Sequence, residues 1–126
     1  MNATYLIFWN SHIPSVPTDA LSTFTKVKLI KEAIQKTLGL EFWQYNIYSR
    51  KREICFARYC FFKMCRLETM LSLKDIGECF FQKFDHSTVI SGIEKIDNII
   101  YLKERDENYT KWIDVKLKYN NLTKWK

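Results

Sequence analysis

The clearest alternation of apolar and polar positions lies between residues 71 and 102 and predicts two helices joined by a turn. Leu73, Ile76 and Phe80 are spaced three and then four residues apart, as on one face of a short helix. Asp85 is a favourable N-cap for a second helix. The apolar stripe of that helix is Val89, Ile93, Ile96 and Ile100. The order of elements, with a turn across residues 81–84, is typical of a helix-turn-helix over about residues 72–102.

The first turn of the second helix is polar and offers side chains for base recognition. A helix-turn-helix presents this part of its second helix to base edges in the major groove. Ser87 and Thr88 supply hydroxyl groups, and the Thr88 methyl can meet a thymine methyl. Asp85 can cap the helix, accept from cytosine N4, or do both through its two oxygens. His86 can be a pH-sensitive core group, a metal ligand or a base contact, but no ligand cluster accompanies it.

A first helix is predicted over about residues 20–38, before the motif. Thr18 or Asp19 can cap it, and Gly39 ends the pattern. Its apolar face consists of Leu21, Phe24, Val27, Leu29 or Ile30, Ile34 and Leu38. The preceding residues 1–19 contain two prolines and no sustained period, so we expect an N-terminal arm.

The remaining segments are also predicted to be helical or buried. The aromatic-rich stretch at residues 40–50 favours either a short helix or a buried connection. The longest helical pattern covers residues 53–70, and its apolar side leaves Arg58 elsewhere on the helix. A last amphipathic helix is expected over residues 104–122, followed by a basic tail at 123–126. The pattern therefore predicts an all-α bundle with one domain over residues 20–122.

Composition and charge are compatible with this fold and with an anionic partner. The chain has 126 residues, is 47% hydrophobic, and contains only three glycines and two prolines, as expected for a globular domain. Its net charge is +6. Residues 50–66 concentrate this charge, with six cationic side chains and one acid. The run Arg50, Lys51 and Arg52 is either a solvated surface or a set of phosphate contacts.

The cysteines and the N-terminus indicate neither a metal site nor export. Cys55, Cys60 and Cys65 are five residues apart, so on a helix they point about 140° away from one another and cannot share one metal. We expect free thiols in a reducing cytoplasm, with no cofactor. Tyr5 to Trp9 is too short and too poorly flanked for a signal peptide, and no segment approaches a membrane-spanning length.

The motif region resembles the C-terminal DNA-binding domain of the bacterial replication initiator DnaA. The residues that carry this resemblance are Ile76-Gly77, Phe80, Lys83, the run Asp85-His86-Ser87-Thr88-Val89-Ile90, and Glu94-Lys95-Ile96. Weaker similarity extends over about residues 26–120, including Ser72-Leu73-Lys74-Asp75 and the basic segment with the helix after it. The resemblance implies an all-α, Trp repressor-like bundle that binds double-stranded DNA through its helix-turn-helix.

The resemblance also implies a role for each site residue. Base readout would come from Arg58 in the minor groove and from Lys83, Asp85, His86, Ser87 and Thr88. Phosphate contacts would come from Arg50, Lys51, Arg52, Ser72 and Lys74. Gly77 is expected to allow close packing where the recognition helix crosses.

The turn departs from the family pattern. Phe81 and Gln82 stand where small residues are usual, and Phe84 makes the turn one residue longer than in many members. The arginine that often precedes the Asp-His pair is replaced by Lys83, displaced by one position, which lacks the bidentate fork preferred by guanine. The target sequence is therefore left open.

Function is expected to be DNA binding in replication or its regulation, in a phage, plasmid or host setting. The sequence contains no G-x-x-x-x-G-K-[ST] motif and no nucleophile–base pair, so we expect neither ATPase activity nor another enzymatic activity. A monomer is the default. The alternative is a protein-interaction module or transcriptional regulator that keeps the fold, with the aromatic N-terminal arm (Tyr5, Phe8, Trp9) docking a replication protein.

Overall fold

The computed structural model describes residues 21–47 and 49–124, and within them the chain is all α-helical. The helices are α1 (Thr23–Leu38), α2 (Phe42–Tyr45), α3 (Arg52–Glu68), α4 (Leu73–Glu78), α5 (His86–Leu102) and α6 (Tyr109–Lys124), with a 3₁₀ turn at Lys103–Arg105. The described residues contain no strand. None of their helices is long and apolar enough to cross a membrane. The all-α bundle with a helix-turn-helix, here α4 and α5, is confirmed.

Helix α3 lies at the centre of the bundle. It packs against α1, α2, α4, α5 and α6. Phe61, Phe62 and Met64 on α3 are completely buried. Helix α6 pairs mainly with α1 and also contacts α3 and α5. This arrangement makes α3 the platform on which α4 and α5 are mounted.

An aromatic cluster joins this platform to the turn of the helix-turn-helix. The ring of Phe80 lies 5.1 Å from that of Phe61 and 5.3 Å from those of Phe62 and Phe84, measured between centroids. Phe42 of α2 stacks on Phe80 at 5.4 Å. Such pairs each contribute about 0.5–1.5 kcal/mol beyond the burial of their surface. The turn is therefore anchored by side chains that point inward.

Two glycines permit the close approach of helices around α5. A Cβ on Gly77 of α4 would overlap the carbonyl oxygen of Phe84. The Phe84 N–H also donates to the Gly77 carbonyl at 3.1 Å. A Cβ on Gly92 of α5 would lie 2.6 Å from the Phe62 ring on α3. Close packing at Gly77, expected from the sequence, is what the structure has.

Helix ends differ from the expected bounds. Helix α1 begins at Thr23 because the Ser22 hydroxyl accepts from the Thr25 N–H at 3.1 Å, so capping by Thr18 or Asp19 is wrong. Helix α3 ends at Glu68, where Thr69 becomes extended and turns its hydroxyl back onto the Cys65 carbonyl. The N-terminal arm predicted over residues 1–19 lies outside the described residues.

The last helix and one core position also require correction. Helix α6 begins at Tyr109 rather than at residue 104, because residues 103–105 form a 3₁₀ turn instead. The first residue of that turn, Lys103, has a positive φ of 52°. The helix continues through Lys124, so the first two residues of the predicted tail are helical. Phe24 is 79% exposed, since α1 presents Lys26, Leu29 and Ile30 to the core instead.

Replacing Gly77 with alanine is expected to destabilise the fold by about 1–3 kcal/mol, the usual cost of overpacking, because the obstructing atom belongs to backbone. The intrinsic helix preference of alanine opposes this by at most about 1 kcal/mol. Denaturant unfolding would measure the difference. Glu78→Ala, at the exposed next position, is the matched control and should change stability by less than about 0.5 kcal/mol. Equal midpoints for the two variants would contradict the close contact.

Candidate nucleic-acid interface

The N-terminus of α5 is built by a side-chain cap that leaves a polar first turn outside. The Asp85 Oδ1 accepts from the Thr88 N–H at 2.9 Å. His86, Ser87 and Thr88 are exposed, whereas Val89 is completely buried. This exposure follows from the spacing of the apolar stripe of α5, because its first buried residue, Val89, comes one turn after the start of the helix. The predicted readers Asp85 to Thr88 therefore form one exposed end of α5.

The Asp85 carboxylate is held in its charged form by the helix that it caps. Backbone and side-chain hydrogen bonds from Thr88 lower its pKa most, and the nearby His86 lowers it further. Asp85 is exposed to solvent, as are His86 and Ser87. Capping by Asp85 therefore does not bury its carboxylate, and contact with a base edge remains a prediction.

The turn between α4 and α5 folds the ring of Phe84 inward. Phe84 is partly buried against Phe62 and Phe80. Lys83 adopts a positive φ of 53°, which is uncommon for a residue other than glycine. The Phe81 N–H donates to the Asn46 side-chain oxygen at 2.6 Å, which ties the turn to the end of α2. Lys83 is left exposed at the tip of the turn, next to the Asp85 cap.

The predicted phosphate contacts lie on two separate segments, one at the start of α3 and one shortly after its end. Arg50, Lys51 and Arg52 are exposed where the chain enters α3. Ser72 and Lys74 are exposed at the start of α4, where the Ser72 hydroxyl oxygen accepts from the Asp75 N–H at 3.1 Å. The Ser72 O–H can still act as a donor. These positions are suited to phosphate contact, which remains a prediction.

An open groove of about 500 Å³ joins the basic entry to α3 with the end of α5. Of the predicted site residues, it brings together Arg50, Arg58, Asp85, Ser87 and Thr88. Sequence reasoning missed the lining residues Ser49, Cys55, Tyr59, Phe84 and Ser91. Helical spacing could have found Ser91, since it lies one turn beyond Ser87 on the exposed face. The other predicted residues lie outside the groove lining.

Arg58 requires a correction, because it is interior rather than on the surface. It is 4% exposed, and its Nη2 donates to the Ile47 carbonyl at 2.7 Å. Its guanidinium carbon lies 4.9 Å from the centre of the Phe84 ring. The sequence could not reveal this position, since both partners come from segments brought in by tertiary folding. Arg58 nevertheless contributes to the lining of the open groove, and a minor-groove contact by it remains a prediction.

The cysteines form no metal site in the described part of the chain. All four are free thiols, and Cys60 and Cys65 are completely buried. Burial raises the pKa of both thiols well above the ordinary value. Within residues 21–47 and 49–124, no three His, Cys, Asp or Glu side chains are grouped to hold an ion.

Acid should release the cap of α5. Because the pKa of Asp85 is lower in the folded chain than in the unfolded one, the cap is fully present above the unfolded value, about 3.9, and is lost as the pH falls through the lowered value. A carbon-detected NMR titration should place the Asp85 midpoint below 3.9 and show faster Thr88 amide exchange beneath it. Asp85→Asn keeps a capping oxygen without the titrating charge and should show no such transition. A midpoint at or above the ordinary value would contradict the cap.

Comparison with known proteins gives a family match over the region just described. The family described as "Bacterial dnaA protein helix-turn-helix" matches residues 27–96, which is more than half of the chain. That region runs from α1 through the groove and into α5. No solved structure matches significantly.

Curated relatives agree with the family match. The chromosomal replication initiator protein DnaA of Lachnoclostridium phytofermentans is 39% identical over 80 residues, covering 62% of this chain and 17% of the relative. Those of Thermodesulfovibrio yellowstonii and Caldanaerobacter subterraneus are 33% and 35% identical over 88 residues, covering 70% of this chain and 19% of each relative. The match thus spans less than a fifth of the length of these relatives. On the family match, the chain belongs to the bacterial DnaA helix-turn-helix family.

Proposed function

We propose that this chain binds double-stranded DNA in a sequence-specific manner, in replication initiation or its regulation. The observation that carries the proposal is the groove in which the basic entry to α3 meets the exposed end of α5. In a family of helix-turn-helix proteins, this places cationic side chains for phosphates beside polar side chains for base edges. The proposed activity is binding by one copy and involves no ATP hydrolysis by these residues.

Each part of the surface is assigned one task. The end of α5 enters the major groove, where Asp85, His86, Ser87 and Thr88 reach base edges, with Lys83 beside them. Phosphates on one side of the DNA major groove are held by Arg50, Lys51 and Arg52. Those on the other side are held by Ser72 and Lys74. These two sets of phosphate contacts fix the position of the end of α5 along the DNA duplex, which the few base contacts of one helix end do not fix alone.

A second candidate function is protein interaction. Trp43 is 68% exposed and Phe81 is 78% exposed. The hydrogen bond from Phe81 N–H to Asn46 holds Phe81 at the C-terminal end of α2, the short helix that carries Trp43. Large exposed apolar groups of this kind are typical of binding surfaces. This candidate becomes the leading one if the protein does not bind duplex DNA at physiological salt.

Selection from a randomised duplex library at about 0.15 M salt tests the proposal, because non-specific binding is already weak there. We expect enrichment of one short sequence. Binding without enrichment would show a backbone binder and remove the base-reading assignment. No binding would remove DNA from the function altogether and favour the protein-interaction candidate.

Point variants then separate base from phosphate contacts. His86→Ala should raise the Kd for the selected sequence by about tenfold or more with little effect on random duplex, as expected for a lost base contact. Lys51→Ala should weaken both duplexes alike and reduce the steepness of the salt dependence by about one phosphate contact. Equal losses on both duplexes for both variants would contradict the assigned roles.

Two exposed lysines with positive φ provide a pair for comparison. Lys83 and Lys103 have φ values of 53° and 52° and flank the two ends of α5, roughly 25 Å apart at 1.5 Å per residue. Replacing either with glycine removes one charge and relieves the strain of a positive φ. We expect Lys83→Gly to raise the Kd for the selected duplex about tenfold and Lys103→Gly to leave it nearly unchanged. An equal increase in Kd for the two variants would show that Lys83 contributes only through the net charge of the protein.

A further inference from the structure

Cys55 differs from the other three cysteines in its position at the open groove. It is one of the residues that line the groove of about 500 Å³, and it is partly exposed. Cys60 and Cys65 are completely buried, and Cys79 is partly buried at the end of α4, outside the groove lining. Burial raises the pKa of these three thiols, which disfavours the nucleophilic thiolate. Of the four thiols, Cys55 is therefore the one that a solute in the groove can reach.

The sulfur of Cys55 lies between a backbone acceptor and a cation. Its S–H donates to the Ser49 carbonyl at 3.1 Å, and the Nη1 of Arg58 lies 4.0 Å from the sulfur. Arg58 lines the same groove and is 4% exposed, and its Nε is buried with no hydrogen-bond partner among the described residues. An unused donor on a buried cation is costly, and an anionic group beside it offsets that cost. The surroundings of Cys55 are therefore suited to an anionic ligand as well as to duplex DNA.

The groove also matches a small anionic molecule in size and polarity. Its volume of about 500 Å³ lies within the range of about 300–1,000 Å³ that is usual for small-molecule sites. The lining contains two arginines, Arg50 and Arg58, against one acid, Asp85, and it includes five hydroxyl side chains. Guanidinium and hydroxyl groups both donate to carboxylates. A peptide-like molecule that carries carboxylates, such as glutathione, has this chemistry.

We propose that Cys55 is a site of reversible thiol–disulfide exchange, and that its mixed disulfide with an anionic thiol of the glutathione type fills the groove and excludes duplex DNA. The Cys55 thiolate attacks one sulfur of a low-molecular-weight disulfide, so that one S–S bond forms as the other breaks. The sulfur of Cys55 is oxidised, and the departing sulfur is reduced and takes up the proton that Cys55 has lost. Attack by a second thiol reverses the exchange. The effect on DNA rests on the proposed function, whereas the exchange itself does not.

The adduct acts on both kinds of predicted DNA contact. It occupies the groove that Ser87 and Thr88 also line, so it obstructs the predicted base-reading end of α5. It also removes the S–H that donates to the Ser49 carbonyl. The Ser49 hydroxyl accepts from the Lys51 N–H at 3.2 Å, so the basic entry to α3 loses one of the contacts that hold it. Specific and non-specific binding are therefore both expected to weaken.

Exchange in the free protein tests the site without DNA. The full chain is incubated with glutathione disulfide, and peptide mass spectrometry follows the adduct at each cysteine. We expect Cys55 to react several-fold faster than Cys79, and the buried Cys60 and Cys65 to stay unmodified. The neutral 2-hydroxyethyl disulfide lacks carboxylates and should show a smaller preference for Cys55. Faster reaction at Cys79, or an equal preference with both reagents, would overturn the proposed site.

Binding to the selected duplex then tests the consequence, with Cys79→Ser as the matched control for Cys55→Ser. Treatment with glutathione disulfide should raise the Kd of the wild type and of Cys79→Ser by about tenfold or more, the size of at least one lost base contact, and dithiothreitol should restore it. Cys55→Ser keeps a donor for the Ser49 carbonyl and should have the same Kd before and after treatment.

Bound DNA gives the converse measurement. The selected duplex should slow exchange at Cys55 and leave the rate at Cys79 unchanged. An unchanged Kd after complete modification of Cys55 would contradict the exclusion of DNA. If Cys55 exchanges as expected but the wild type enriches no sequence from the library, the exchange site stands and the proposed DNA-binding function fails.

Discussion

The geometry of the helix-turn-helix depends on the contact between the backbone of Gly77 and that of Phe84. Helix α4 and the residue before the α5 cap approach so closely there that no Cβ fits, and one hydrogen bond closes the approach. The rings of Phe80 and Phe84 then fill the space toward α3. Backbone contact fixes the start of α5, and aromatic packing fixes its orientation. These two buried constraints determine the position of the exposed, polar first turn of α5.

Much of this arrangement follows from local sequence. The stripe from Val89 to Ile100 determines which face of α5 is buried, and the Asp85 cap determines where the helix begins. Gly77 could be assigned to close packing because glycine within a short helix requires a reason. The exposure of His86, Ser87 and Thr88 follows from the same periodicity. Local patterns thus predicted the candidate reading end of α5, although its contacts with DNA remain predictions.

Contacts between distant segments could not be predicted in this way. Arg58 falls among apolar residues of α3, and nothing in its sequence neighbourhood shows that Ile47 and Phe84 will enclose it. The exposure of Phe24 has the same origin, because the apolar face of α1 is wider than the surface that α3 and α6 cover. Several good capping residues precede α1, and the structure has Ser22 as the cap, whose hydroxyl accepts from the Thr25 N–H.

The turn between α4 and α5 is held by the ring of Phe84, which packs against the core and is partly buried. Its burial requires Lys83 to adopt a left-handed backbone, at a cost of about 1–3 kcal/mol that the buried ring offsets. The same ring supplies the face on which Arg58 rests. Lys83 itself stays exposed at the tip of the turn, outside this packing.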